Sequence, residues 1–135
     1  LACAPSGGLW ISIDEGATWS PAGGGVDALS AVGATDVIVD PANSSHWYLA
    51  TGDSDGATTY SIGLIETFDA GVSWQTTGLS LPVGGGGKIF KVEFHPDSAN
   101  VIFVASSSGL YRSIDSGASF SSVKTGVIRD FEFNL

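Results

Sequence analysis

The chain has 135 residues and a formal net charge of −9, from 14 acids against five Lys and Arg, with 19 glycines, four tryptophans and one cysteine. So acidic a surface excludes nucleic acid and anionic membranes as partners, the lone Cys3 excludes a disulfide framework or a thiolate metal pair, and no apolar run is long enough for membrane insertion. With 14% of residues charged and Gly, Ser, Thr and Asn crowding the polar stretches, the composition is that of an all-β domain with one continuous core.

Leu1-Ala2-Cys3-Ala4 reads as a strand, with Cys3 in the place of Val104 of a later repeat and therefore a core thiol. Gly8-Leu9 opens the next strand and leads to the phrase Ser12-Ile13-Asp14-Glu15-Gly16-Ala17-Thr18-Trp19. Val37–Pro41 and Trp47–Ala50 are β-rich runs flanking a Pro turn. A long connection over 51–62 precedes Gly63-Leu64 and the second phrase, Thr67-Phe68-Asp69-Ala70-Gly71-Val72-Ser73-Trp74. After Gly84-Gly85-Gly86-Gly87-Lys88, the runs Val92–Pro96 and Val101–Ala105 repeat the earlier pair. Gly109-Leu110 then leads to Ser113-Ile114-Asp115-Ser116-Gly117-Ala118-Ser119-Phe120. Val127–Leu135 matches Lys88–His95, the opening strand of a unit.

The thrice-written phrase has a physical reading of its own. The Asp stands where the chain must turn, and its carboxylate accepts N–H bonds from residues further on. Gly16, Gly71 and Gly117 follow two residues later, where a positive φ is needed. Ile13, Phe68 and Ile114 point away from their small polar neighbours, and Trp19, Trp74 and Phe120 cover the turn as the chain returns. Ser12, Thr67 and Ser113 complete the pattern, which predicts structural rather than catalytic aspartates.

The phrase resembles the Asp-box, or BNR repeat, of sialidases, xyloglucan-degrading hydrolases, sortilin-type receptors and secreted bacterial propellers. With four short strands per unit of roughly 40–50 residues, the expected fold is all-β: β-propeller blades, four-stranded and antiparallel, with Asp-box turns in an incomplete ring. The expected division is residues 1–27 as the end of one blade, 28–83 as a second, 84–126 as a third, and 127–135 as the first strand of a further one. About two and a half blades imply a segment of a longer polypeptide, or copies that close a ring as a homo-oligomer.

Functional signals are sparser. The 51–62 connection is where the chain departs most from its own repeat, so Asp53, Asp55 and Tyr60, with Glu66, form the candidate binding loop. Asp53-Ser54-Asp55-Gly56 alternates oxygen donors before a glycine; a solvated loop and a calcium site compete for it. No other cofactor is indicated. Tyr60, Trp10, Trp47 and Tyr111 offer stacking surfaces for sugars, although Trp47 and Tyr48 read first as core. His46 and His95 lack ligand-spaced partners, and no Ser-His-Asp set assembles. The glycine run before Lys88 resembles a phosphate loop but leads into a strand, so it is a blade connection.

What the resemblance implies about activity divides. Sialidases of this kind use three arginines, and the chain has only Arg112 and Arg129. Xyloglucan-degrading relatives draw two carboxylates from blades far apart, so no catalytic residue is assigned. The leading expectation is a non-catalytic scaffold or recognition module, secreted or at a bacterial cell surface, binding glycan or protein through one loop face. The alternative is a fragment of a glycoside hydrolase, sialidase-like or xyloglucanase-like, whose catalytic groups lie elsewhere.

Overall fold

The structure, a computed structural model, describes residues 1–22, 33–56 and 59–134. The boundary expected at 27/28, residues 57 and 58 of the long connection, and Leu135 lie outside them. The described residues form strands and turns without helix. The first sheet has three strands, β1 (Ala2–Ala4), β2 (Gly8–Ile11) and β3 (Ser20–Pro21). The second has four, β4 (Ala34–Asp40), β5 (Asn43–Thr51), β6 (Gly63–Thr67) and β7 (Gln75–Ser80). The third repeats that plan with β8 (Ile89–His95), β9 (Ser98–Ser106), β10 (Gly109–Ser113) and β11 (Ser121–Thr125). Every sheet is an antiparallel meander in chain order.

The inner strands of the second sheet, β6 and the later half of β5, are buried on both faces, which explains why β5 reads Trp47-Tyr48-Leu49-Ala50 without polar alternation. Period-two geometry sends Trp47 and Leu49 to one side and Tyr48 and Ala50 to the other. Trp47 and Leu49 join Leu9, Ala34, Ile62 and Ile65 against the first sheet, where Cys3 also packs. Tyr48 and Ala50 join Leu64, Leu79, Ile89, Val92, Ile102 and Val104 against the third. Trp47 and Tyr48 are thus core. Cys3 is opposite Leu9, as Ala105 is opposite Leu110, so it takes the place of Ala105 and not of Val104. The first hairpin is one residue longer, which shifts the register. Burial, reinforced by Asp36, pushes the Cys3 thiol up to about 12, so it stays protonated and unreactive.

Tyr48 also ties the sheets by a hydrogen bond. Its hydroxyl donates to Ser116 O at 2.8 Å. Burial and the nearby Glu66 and Asp40 raise the phenol well above its ordinary value, which keeps it a donor. Tyr48→Phe is expected to lower stability by about 1 kcal/mol with no change of fold, read from urea unfolding.

The three repeated turns are built alike. Asp14 Oδ1 accepts from Thr18 N at 2.8 Å, Asp69 Oδ1 from Ser73 N at 2.8 Å and Asp115 Oδ1 from Ser119 N at 2.9 Å. Their other oxygens accept the hydroxyls of the same residues. Ser12, Thr67 and Ser113 donate to the aspartates and accept from the N–H of Gly16, Gly71 and Gly117. Left-handed backbone is more extensive than expected. Glu15, Ala70 and Ser116, just before the glycines, have φ of 60°, 57° and 54°, a strained region for side-chain-bearing residues that the surrounding bonds hold in place. Trp19 and Trp74 donate from their indole to Gly16 O and Gly71 O, three residues back. Trp19 remains 45% exposed, so its cover of the turn is partial.

These hydrogen bonds, first from the Thr18 and Ser73 hydroxyls and then from their amides, lower Asp14 and Asp69 to about 2 from a usual 3.8, and Asp115 is lowered likewise. A depressed carboxylate contributes stability above its unfolded value and loses it as pH falls through its folded value. The melting temperature is therefore expected to hold down to about pH 4 and to fall towards pH 2. Asp36, raised mainly by burial, opposes that trend weakly because acidification relieves its desolvation. A thermal melt at each pH checks the sum; a flat profile would mean the turn bonds carry nothing.

Among the described residues, 127–134 form no strand ladder, and Ile128 N donates to Ser106 O at the end of β9 at 3.0 Å. They lie beside β8, where Lys91 Nζ donates to Phe131 O at 2.7 Å and meets Glu132 at 2.9 Å, Asp130 at 3.0 Å and Glu93 at 3.3 Å. Phe103 meets Phe133 edge-on at 5.3 Å and 75°, as Tyr48 meets Phe94 at 5.8 Å and 78°. The segment therefore stands against the third sheet much as β8 stands against the second.

Candidate functional site

The long connection after β5 crosses one end of all three sheets. Thr59 donates to Pro5 O of the first sheet's hairpin at 2.8 Å. Lys88, entering the third sheet, donates from Nζ to Gly56 O at 2.5 Å. Asp53 holds the bend between them, its Oδ1 accepting the N–H groups of Asp55 at 2.9 Å and Gly56 at 2.7 Å. Such a short-range carboxylate-to-amide turn is what Asp-x-Asp-Gly favours locally. Between this loop and the glycine run lies a small cleft, open to solvent and lined by Asp53, Gly56, Thr59, Tyr60, Gly86, Gly87 and Lys88. Tyr60 stands at its mouth, 56% exposed.

Asp53 and Tyr60 thus share one site, and Asp55 lies exposed on the same loop. Glu66 does not belong there: it faces Tyr48 across the ladder, near the other end of β5. The calcium set does not assemble either, because Asp53 is turned onto its own loop amides and no three acidic, His or Cys groups converge among the described residues. Trp10 and Trp47 close turns through indole bonds to Gly7 O and Ser44 O, and Trp47 is buried in the core. Tyr111 packs at the edge of the second core cluster, its hydroxyl on Ser108.

Glu66 belongs instead to a buried polar cluster at the far end. His46 Nδ1 lies 3.2 Å from Asp40 Oδ2 and Nε2 lies 3.1 Å from Glu66 Oε2. Gln75 donates to the remaining oxygen, Glu66 Oε1, at 2.9 Å. Phe68 stacks on the imidazole at 4.3 Å and 17°, which leaves Phe68 half exposed. Both ring nitrogens thus lie against carboxylate oxygens, one from β4 and one from β6. Residue spacing gave no sign of this partner set. His46 falls where the β4–β5 register shifts, between the pairs Val39–Trp47 and Asp40–Asn43, and Glu66 reaches it from another strand. A β-rich strand carrying His two residues before a core Tyr was the available hint.

No family model matches the sequence. A xyloglucanase of Hypocrea jecorina (strain QM6a) is 29% identical over 127 residues, covering 94% of this chain and 14% of that protein. A xyloglucanase of Paenibacillus sp is 30% identical over 127 residues, covering 88% of this chain and 12% of that protein. The GH74 xyloglucanase from Xanthomonas campestris superposes with a TM-score of 0.64 at 22% identity, over 90% of this chain and 18% of that one. An ancestral GH74 enzyme gives 0.68 at 19%, over 92% and 16%. The sheets are propeller blades. The chain spans about one eighth of the length of the curated relatives it matches, and its sequence relatives are glycoside hydrolases. No helix of the described residues is long and apolar enough to cross a membrane.

Proposed function

We propose that the chain is a blade segment of a secreted, xyloglucan-hydrolysing propeller, and that its repeated turns are Asp-boxes. The observation that carries this reading is the likeness of about 30% identity to two xyloglucanases, which runs through nearly the whole repeat pattern rather than one motif. It reverses the ranking expected from residues alone, where a non-catalytic recognition module led. Within the enzyme the segment supplies scaffold and glycan contact, because its best-placed acids are already committed. Asp40 and Glu66 bind His46, Asp53 binds its own loop, and Glu93, Asp130 and Glu132 surround Lys91. Paired carboxylates able to cleave a glycosidic bond must instead face an open substrate.

The test is release of reducing ends from xyloglucan by the full-length protein, with cellulose and a sialylated glycan as controls. Hydrolysis of xyloglucan supports the reading. Binding without cleavage of any of the three would return the recognition module to first place.

A further inference from the structure

The corner between β4 and β5 carries more chemistry than its geometry needs. Asp40 and Asn43 pair across a two-residue turn, Pro41 and Ala42, and the third sheet makes the same turn between His95 and Ser98. There the chain continues Ser98-Ala99-Asn100, so the fold sets no demand for Asn43-Ser44-Ser45. That triplet is an Asn-x-Ser sequon, the acceptor pattern for an N-linked glycan, and it occurs once in the chain. Its surroundings suit that role. Asn43 and Ser44 are exposed. Asn43 Oδ1 accepts the N–H of Ser45 at 3.1 Å, which folds the triplet into an Asx turn and leaves the amide nitrogen as the free end of the side chain. Neither Asn43 Nδ2 nor the Ser45 hydroxyl donates to a described residue, so a sugar on Nδ2 displaces no hydrogen bond of the fold. Strand β5 then runs nine residues from Asn43 to Thr51, which puts the corner at the opposite end of the sheet from the 51–62 connection.

We propose that Asn43 is an N-glycosylation site, modified in a secretory compartment from a lipid-diphosphate-linked oligosaccharide. In that transfer Asn43 Nδ2 forms a bond to the anomeric carbon of the sugar. The bond from that carbon to the diphosphate oxygen breaks, the lipid diphosphate leaves, and the proton from Nδ2 passes to a base of the transferring enzyme. The donor arrives activated, so no oxidant or reductant enters. Ser45 supplies the hydroxyl that the enzyme reads. The glycan then stands in solvent at the end of the sheet away from Tyr60 and leaves the candidate cleft open. This inference rests on the secreted part of the reading above and is independent of whether the protein cleaves xyloglucan.

The experiment is mass spectrometry of the full-length protein secreted from a eukaryotic host behind that host's own leader, read on the proteolytic peptide that holds Asn43. The borrowed leader separates acceptance of the glycan from the protein's native route of export. The native peptide is expected to carry glycan mass and to lose it on treatment with peptide N-glycosidase, with Asn43 recovered as aspartate. Ser45→Ala is expected to lose the glycan completely, and Ser45→Thr, which keeps a hydroxyl, to retain it. Asn43→Ser removes the acceptor but keeps a residue that the same corner uses at Ser98, so it is expected to be secreted folded and unmodified. A bare Asn43 in native protein recovered from the medium overturns the proposal, and so does a glycan that persists in Ser45→Ala. A glycan on Asn43 in a protein that cleaves no xyloglucan keeps the site and removes the hydrolase reading. Xyloglucan cleavage with a bare Asn43 does the reverse.

Discussion

His46→Ala is expected to destabilise the protein by about 3 kcal/mol, because it leaves two largely buried carboxylates without a partner, at about 1–3 kcal/mol for each buried polar group left unsatisfied. His46 is 7% exposed, and both its ring nitrogens are held by carboxylates that are themselves largely buried. Without it, Asp40 and Glu66 would face one another across a cavity, each short of a hydrogen-bond partner. Phe68 and Tyr48, in ring contact with His46 at 4.3 and 4.6 Å, would lose a packing surface as well. The greater part of the loss is the exposed conflict between acids, so adding Glu66→Gln to His46→Ala is expected to recover stability rather than to reduce it further. Urea unfolding of the single and double variants decides this. A single-variant loss below about 1 kcal/mol, the scale of one ordinary hydrogen bond, would mean that water replaces the imidazole without strain.

Gly63→Ala is expected to cost about as much, for a steric reason. Gly63 opens β6 with φ of +106°, and a Cβ there would stand 2.1 Å from Leu79 O and 2.8 Å from Ser80 Cα. These are backbone atoms of the paired β7, at the point where the register shifts, so no side chain can swing aside. Strain from the left-handed backbone and overpacking each cost roughly 1–3 kcal/mol. Together they predict a loss of about 3 kcal/mol or failure to accumulate folded protein. Gly86→Ala is the control, since Gly86 has φ of +72° but open space around it, and only the backbone strain of about 1 kcal/mol should appear. Equal losses in the two variants would show that the close approach to β7 relaxes freely.

Much of this fold is legible residue by residue. The Ser/Thr-x-Asp-x-Gly-x-Ser/Thr pattern carries its own bonds within eight residues, so Asp14, Asp69 and Asp115 do what the pattern predicts whatever surrounds them. The run Trp47-Tyr48-Leu49-Ala50 announces a strand buried on both faces. The left-handed Glu15, Ala70 and Ser116 were not legible, because their residue types avoid that region and only the bonded turn imposes it. Tyr60 was readable as an exposed aromatic in a variable loop, but not its cleft, whose far wall arrives with Gly86 and Lys88 from the next sheet.

The sequence by itself determined the repeat, the all-β class and the turn chemistry, since these depend on bonds between residues a few positions apart. Only the tertiary structure decided that Glu66 leaves the loop for His46, that Cys3 stands in the place of Ala105, and that Lys88 closes a cleft with Gly56. Each of those depends on strand register or on how one blade stacks on the next. A shift of one residue along a strand reverses the side each residue faces, and no local pattern records which register the packed sheets select.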